Sequence, residues 1–215
     1  MPATDDPDLR AHIVAAGIFA YRAADFHEVG PAEVAVHADI TVEEFRRVYP
    51  VWELFVVAVI DRWNTAQRAA LRSIAEQDGA VAYVRARLET GLGDPALVRL
   101  RLALLSAASN PSHAAAGWFR KQYTTSFEDL TFALARDVIA GRESSGSSAR
   151  HGAEQLLALY EGLQLQSLLR DDVDLLPGFD RAVARMRVGW GAVQPVERSS
   201  TGAHRSRRSR RGIRW

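Results

Sequence analysis

The chain has 215 residues, 47% hydrophobic and 25% charged, with a formal net charge of +1. That is enough for one or two domains with a full core. The absence of cysteine excludes disulfides, thiolate nucleophiles and cysteine-based zinc sites, and fits a cytoplasmic address. No stretch approaches the roughly 18 apolar residues of a membrane span. The first residues, MPATDDPDL, are acidic and lack the apolar segment of a secretory signal.

The first helix is expected over about residues 7–24, with Asp5 as its cap. Leu9, Ile13, Ala16 and Ala20 form its apolar stripe. Gly30 and Pro31 then open a short helix, glycine being tolerated at an N-cap and proline suited to the first helical position. Val34, Ala35 and Ala38 give it one buried side, and Asp39-Ile40 make the turn. Thr41 with Glu44 is a capping box for the next helix, which carries Phe45 and Val48 on one face. Two short helices in this register have helix-turn-helix geometry, whose second helix can lie in a DNA major groove. Spacing alone fits a plain pair of core helices equally well. A long fourth helix is expected over about 51–77, stopped by Asp78-Gly79, with WELFVVAVI apolar nearly all round.

Further helices are expected over about 80–90, from Pro95 through Ala108, and over about 112–140. The glycines of Gly91-Leu92-Gly93 break the first of these, and Asn110-Pro111 ends the second. The third ends at Gly141, and Glu143 to Ser148 reads as a flexible loop. The last two helices fall at about 149–170 and 178–193. Their seams, Leu156/Tyr160/Leu163 and Phe179/Val183/Met186/Trp190, fit either internal core or half of a four-helix dimer interface. The expected fold is all-α, about nine helices.

Charge is unevenly placed. Residues 1–60 hold ten acids against four arginines, a net of −6, and residues 194–215 hold seven arginines against one glutamate, a net of +6. A DNA-binding domain is normally basic. The 194–215 segment reads as a disordered, arginine-rich tail. The six histidines show no metal spacing, no GxSxG elbow is present, and the pairs Glu128-Asp129 and Asp171-Asp172 read as solvated. No catalytic residue, metal site or cofactor is expected. Trp118, Phe119, Tyr123 and Phe127 supply an aromatic wall on one helix, with Tyr160 and Gln164 able to face it from another. These six are candidate ligand-binding residues for an apolar or aromatic molecule.

Arg10, Ile13, Val14, Ala16, Tyr21 and Phe26, followed without a gap by Val34-Ala35, Ala38, Ile40-Thr41, Phe45, Tyr49-Pro50 and Glu53, resemble the opening of the TetR/AcrR family of bacterial transcriptional regulators. The similarity covers about residues 9–56, and LYEGLQLQSLL is similar to the penultimate helix of many such regulators. It implies a helix-turn-helix domain over 1–56 and a helical ligand-binding and dimerisation domain over 57–193. The implied DNA-binding residues are Gly30, Thr41, Val42, Glu43, Glu44, Arg46, Arg47 and Tyr49. The implied partners are double-stranded DNA, a small-molecule effector and a second copy of the chain, met through the last two long helices. In the family's usual mechanism, ligand tilts the fourth helix. The sequence departs from the pattern where Asp39 replaces the turn glycine and Glu43 a small residue. Arg46 replaces a phosphate-contacting tyrosine, Trp52 a lysine, and Gly30 a capping threonine. The alternative reading is a TetR-like protein with weakened DNA binding that acts as a ligand-binding or protein-interaction module.

Overall fold

A computed structural model describes residues 6–172 and 174–190. The expected cap Asp5 and the arginine-rich 194–215 segment lie outside the described residues. Among the described residues there are ten helices and no strand: α1 (Pro7–Ala23), α2 (Pro31–His37), α3 (Val42–Val48), α4 (Trp52–Ala70), α5 (Arg72–Gln77), α6 (Ala80–Leu92), α7 (Pro95–Ala108), α8 (Ala116–Ile139), α9 (Ala149–Leu169) and α10 (Leu175–Trp190). The architecture is the all-helical one expected.

Local chemistry explains the boundaries that moved. Asp6 caps α1, its carboxylate accepting from the N–H groups of Asp8 and Leu9 at 3.0 and 3.2 Å. The expected fourth helix is two helices. The Leu71 N–H is shared between the Gln67 and Ala69 carbonyls, which tightens the turn, and α5 buries no residue that would hold the axis straight. The α6 helix runs through Gly91 to Leu92. The eighth helix starts at Ala116 rather than near 112, because the Asn110 carboxamide accepts from the Ser112 N–H and hydroxyl and holds a turn there. The tenth starts at Leu175: the Gly178 N–H already bonds the Asp174 carbonyl, and Pro177 sits in the first turn, where its missing donor costs nothing.

Two apolar cores organise the chain. The first joins α1 to α4 with α7 and the start of α8. Its centre is the crossing of α1 and α4, where Gly17 gives Phe55 and Val59 room: a Cβ there would lie 2.4 Å from the Phe55 ring. Phe45, Tyr49 and Trp52 ring Phe55 at centroid distances of 5.0, 5.2 and 5.0 Å, fastening α3 to the head of α4. The second core joins α6, α8, α9 and α10. The seams Leu156/Tyr160/Leu163 and Phe179/Val183/Trp190 are buried within this second core, so they belong to the protomer's own interior.

Gly79 sits between α5 and α6 at φ +91°, a backbone region reserved for glycine. There the buried carboxylate of Asp137, from α8, accepts from the Ala80 N–H at 2.7 Å and pairs with Arg142 at 2.7 Å. A Cβ on Gly79 would lie 2.5 Å from that carboxylate.

Candidate functional site

At the first candidate surface, α2 and α3 form the helix pair, with Gly30 at the N-cap of α2 and no side-chain cap. The turn residue Asp39 has φ +50°. The left-handed turn is therefore kept without its glycine, by a residue whose short polar side chain tolerates it. Thr41 caps α3. Its backbone N–H and hydroxyl donate to the Glu44 carboxylate at 2.9 and 3.0 Å, and its hydroxyl oxygen accepts from the Glu44 N–H at 3.2 Å. The Thr41 backbone N–H, then its hydroxyl, hold the Glu44 carboxyl below its ordinary range. Glu44 also lies 4.0 Å from Arg47. Its charge is thus largely committed within the helix. Phe45 is buried, Val42 and Val48 are half-buried, and Glu43, Arg46 and Arg47 are exposed on the outward face. Tyr49 is half-buried, its ring against Phe55 on one side and under the Arg10 guanidinium, 5.3 Å away, on the other.

The second candidate site is a cavity of about 500 Å³ lined by α4, α5, α6, α7, α8 and α9. Of the six candidate residues, Trp118, Phe119, Tyr123 and Tyr160 line it. Phe127 does not; it packs in the second core with the Arg150 guanidinium 5.3 Å from its ring. Gln164 does not line it either. It lies one layer behind, its amide donating to the Tyr160 hydroxyl at 3.0 Å and its carbonyl accepting from Arg101 at 2.7 Å.

Sequence reasoning missed the charged part of the wall: Arg68, Arg72, Arg87, Arg101 and Arg136, with Glu76, Asp129 and Glu161. Arg101 is buried and forks onto Glu161 of α9. Burial opposes its charge, but Tyr160 and Glu161 outweigh that and hold it firmly protonated. Tyr123 faces the same pair, and burial, then Glu161, push its hydroxyl pKa up. Tyr160 lies between two guanidiniums, Arg87 at 5.1 Å and Arg101 at 5.6 Å from its ring centroid. One signal for Arg101 was legible: Leu97, Arg101, Leu104 and Ala108 share one helical stripe, and three of the four are apolar.

No group of histidines and acids that could hold a metal ion occurs among the described residues, and no helix there is long and apolar enough to cross a membrane.

The C-terminal family of BetI-type transcriptional repressors matches residues 76–188. Among solved structures, GusR of Salmonella enterica is 17% identical over 88% of this chain and 97% of its own, with a TM-score of 0.61. A TetR transcription regulator from Haloarcula marismortui ATCC 43049 is 16% identical over 86% of this chain and 99% of its own, with a TM-score of 0.67. The multidrug binding protein EbrR, complexed with imidazole, is 23% identical over 86% of this chain and 93% of its own, with a TM-score of 0.60. No protein of curated function matches the chain. At such identities the structural likeness speaks to the fold alone, but the 76–188 match spans just over half of the chain, and by it the chain belongs to the TetR family of transcriptional regulators, with a BetI-type C-terminal domain, and is not an enzyme.

Proposed function

We propose that the chain is a ligand-responsive regulator that binds double-stranded DNA as a homodimer through α3. The observation that carries this reading is the Thr41–Glu44 capping box. It fixes α3 with Phe45 inward, so that Arg46 and Arg47 project to solvent, where phosphates or guanine edges can meet them. Glu43 then reads cytosine N4 or, opposite phosphate, opposes binding. The effector occupies the cavity, and α4 connects the two sites, since Trp52 and Phe55 pack with α3 while Asn64 and Arg68 stand in the cavity wall.

For the dimer, the outer faces of α9 and α10 supply the surface. Ala158, Gly162, Leu165 and Leu169 follow an i, i+4, i+7, i+11 stripe on α9. Leu165 and Leu169 are 49% and 74% exposed, and Val188 on α10 is 79% exposed. Exposed apolar residues on two neighbouring helices suit a four-helix interface.

Genomic-fragment capture with the full-length protein tests the reading. Retained fragments should share an inverted repeat, as two-fold symmetry requires. Arg46→Ala should weaken binding to every sequence and lower the salt slope by about 1. Retention of no fragment above the non-specific background, or full affinity in Arg46→Ala, overturns it. One observation favours a second reading, a family member with weakened DNA binding: the net charge of −6 over residues 1–60. Non-specific capture alone is the result that would select it.

A further inference from the structure

Charge in the cavity wall does not balance. Of its five arginines, Arg101 is neutralised by Glu161, and Arg72 pairs with Glu76 at 2.8 Å. Arg68, Arg87 and Arg136 remain, against Asp129 alone. Their hydrogen bonds go to neutral acceptors: Arg68 to the Gln122 and Thr65 side chains, Arg87 to the Asn64 carbonyl at 3.2 Å, and Arg136 to the Ala75 backbone carbonyl. The Nε donors of Arg87 and Arg101 are buried and meet no acceptor among the described residues. A cation held only by neutral dipoles keeps its field, and that field reaches into the cavity.

The aromatic part of the wall points the same way. A cationic ligand would need the face of a ring or a free carboxylate. Tyr160 already has one guanidinium 5.1 Å and another 5.6 Å from its ring centroid. Glu161 is committed to Arg101 and Glu76 to Arg72, and the carboxylate left over, Asp129, is exposed and outnumbered by three arginines. What remains is excess positive charge beside the apolar surfaces of Trp118, Phe119 and Leu130, in a space of about 500 Å³ that suits a molecule of two or three fused or linked rings.

We infer that the effector of this cavity is an aromatic organic anion, its ring system against Trp118 and Phe119 and its acid group drawn to Arg87, with Arg68 and Arg136 adding to the attraction. The inference rests on the proposed role of the cavity as the effector site. Arg87 is the selecting residue because its guanidinium is doubly fixed, by the Asn64 carbonyl and the Tyr160 ring, and so is organised before the ligand arrives. Asn64 lies on α4, so an anion that engages Arg87 acts directly on a partner of the helix that carries the DNA-binding end.

Calorimetric titration of the full-length protein with three probes of one ring system tests this: 2-naphthoate, the neutral 2-naphthamide, and (2-naphthylmethyl)trimethylammonium. The naphthoate should bind on the order of tenfold more tightly than the amide, as a charge-assisted contact exceeds a neutral one. The ammonium should bind most weakly. Arg87→Gln should abolish the preference for naphthoate while leaving the amide affinity in place, which an anion bound to the arginine-rich 194–215 segment would not do. Should Arg87→Gln fold poorly, the exposed Arg136→Gln serves, with a partial loss of preference expected. Equal binding of naphthoate and amide, tighter binding of the ammonium, or a preference that survives both substitutions overturns the anion inference and leaves the effector cavity standing. Failure of all three probes to bind overturns the effector cavity as well.

Discussion

Asp94→Ala probes how α1 is tied to α4 and α7. Asp94 stands at the N-cap of α7, but its side chain makes no cap bond. Its Oδ2 instead accepts from the Trp63 indole at 3.0 Å and from the Arg22 guanidinium at 2.7 and 3.2 Å. One carboxylate thus joins α1, α4 and α7. The two contacts differ in weight. Trp63 is buried, so a lost acceptor strands its N–H at a cost of about 1–3 kcal/mol. The Arg22 side chain is 53% exposed, and such an ion pair contributes ~0–1 kcal/mol. Asp94→Ala should therefore cost about 2 kcal/mol, and Arg22→Ala under ~1 kcal/mol. Asp94→Asn keeps an acceptor for the indole and should fall between them. In a chain of this size, about 2 kcal/mol lowers Tm by roughly 4–8 °C. Urea and thermal denaturation followed by tryptophan fluorescence measure this, at fixed protein concentration because association shifts Tm. If Arg22→Ala costs as much as Asp94→Ala, the ion pair dominates and the account of the indole is wrong.

Asp39→Val should destabilise the protein by about 1–2 kcal/mol, since a β-branched residue resists the left-handed turn at φ +50°, whereas Asp39→Gly should be neutral or better. Chemical denaturation measures both, and a Val variant as stable as wild type would refute the left-handed turn. Arg at both Leu165 and Leu169 should leave the fold intact, because both side chains are largely exposed in the protomer, and should yield monomers in sedimentation velocity. A dimer that persists moves the interface off α9.

Much of the first site was legible because its determinants are local. The Thr41–Glu44 box, Pro31 at the start of α2 and the Phe45 spacing each act within one helical turn. The cavity was legible only on its aromatic side. Aromatic residues at helical spacing on α8 announce a wall, but the Arg101–Glu161 fork joins residues 60 apart in sequence, and no periodicity reports a partner on another helix. The Leu71 break was hidden for the opposite reason: neither glycine nor proline marks it, and it follows from α5 having nothing to pack against. The seams of α9 and α10 show a third limit. Internal core and dimer interface ask for the same apolar spacing, and only burial within the protomer separates them.

On the proposed reading, the geometry of α4 also sets how far an effector's influence can reach. Trp63 is held to α1 and α7 through Asp94, which makes it the natural pivot of the helix. Arg68, in the cavity wall, lies five residues beyond it, and Trp52, packed against Phe45 of α3, lies eleven residues before it. At about 1.5 Å per residue the arms are ~7 and ~16 Å long. A tilt that moves Arg68 by about 1 Å therefore moves the head of α4 by about 2 Å in the opposite sense. The aromatic cluster around Phe55 carries α3 along with it, since Phe45, Tyr49 and Trp52 all pack on that ring. The Gly17 crossing lies on this same arm, and its close contact with Phe55 and Val59 leaves α1 unable to slide freely past α4. The motion that remains is a rocking of α1 to α3 as one unit, which changes where two recognition helices stand relative to each other and leaves each of them intact.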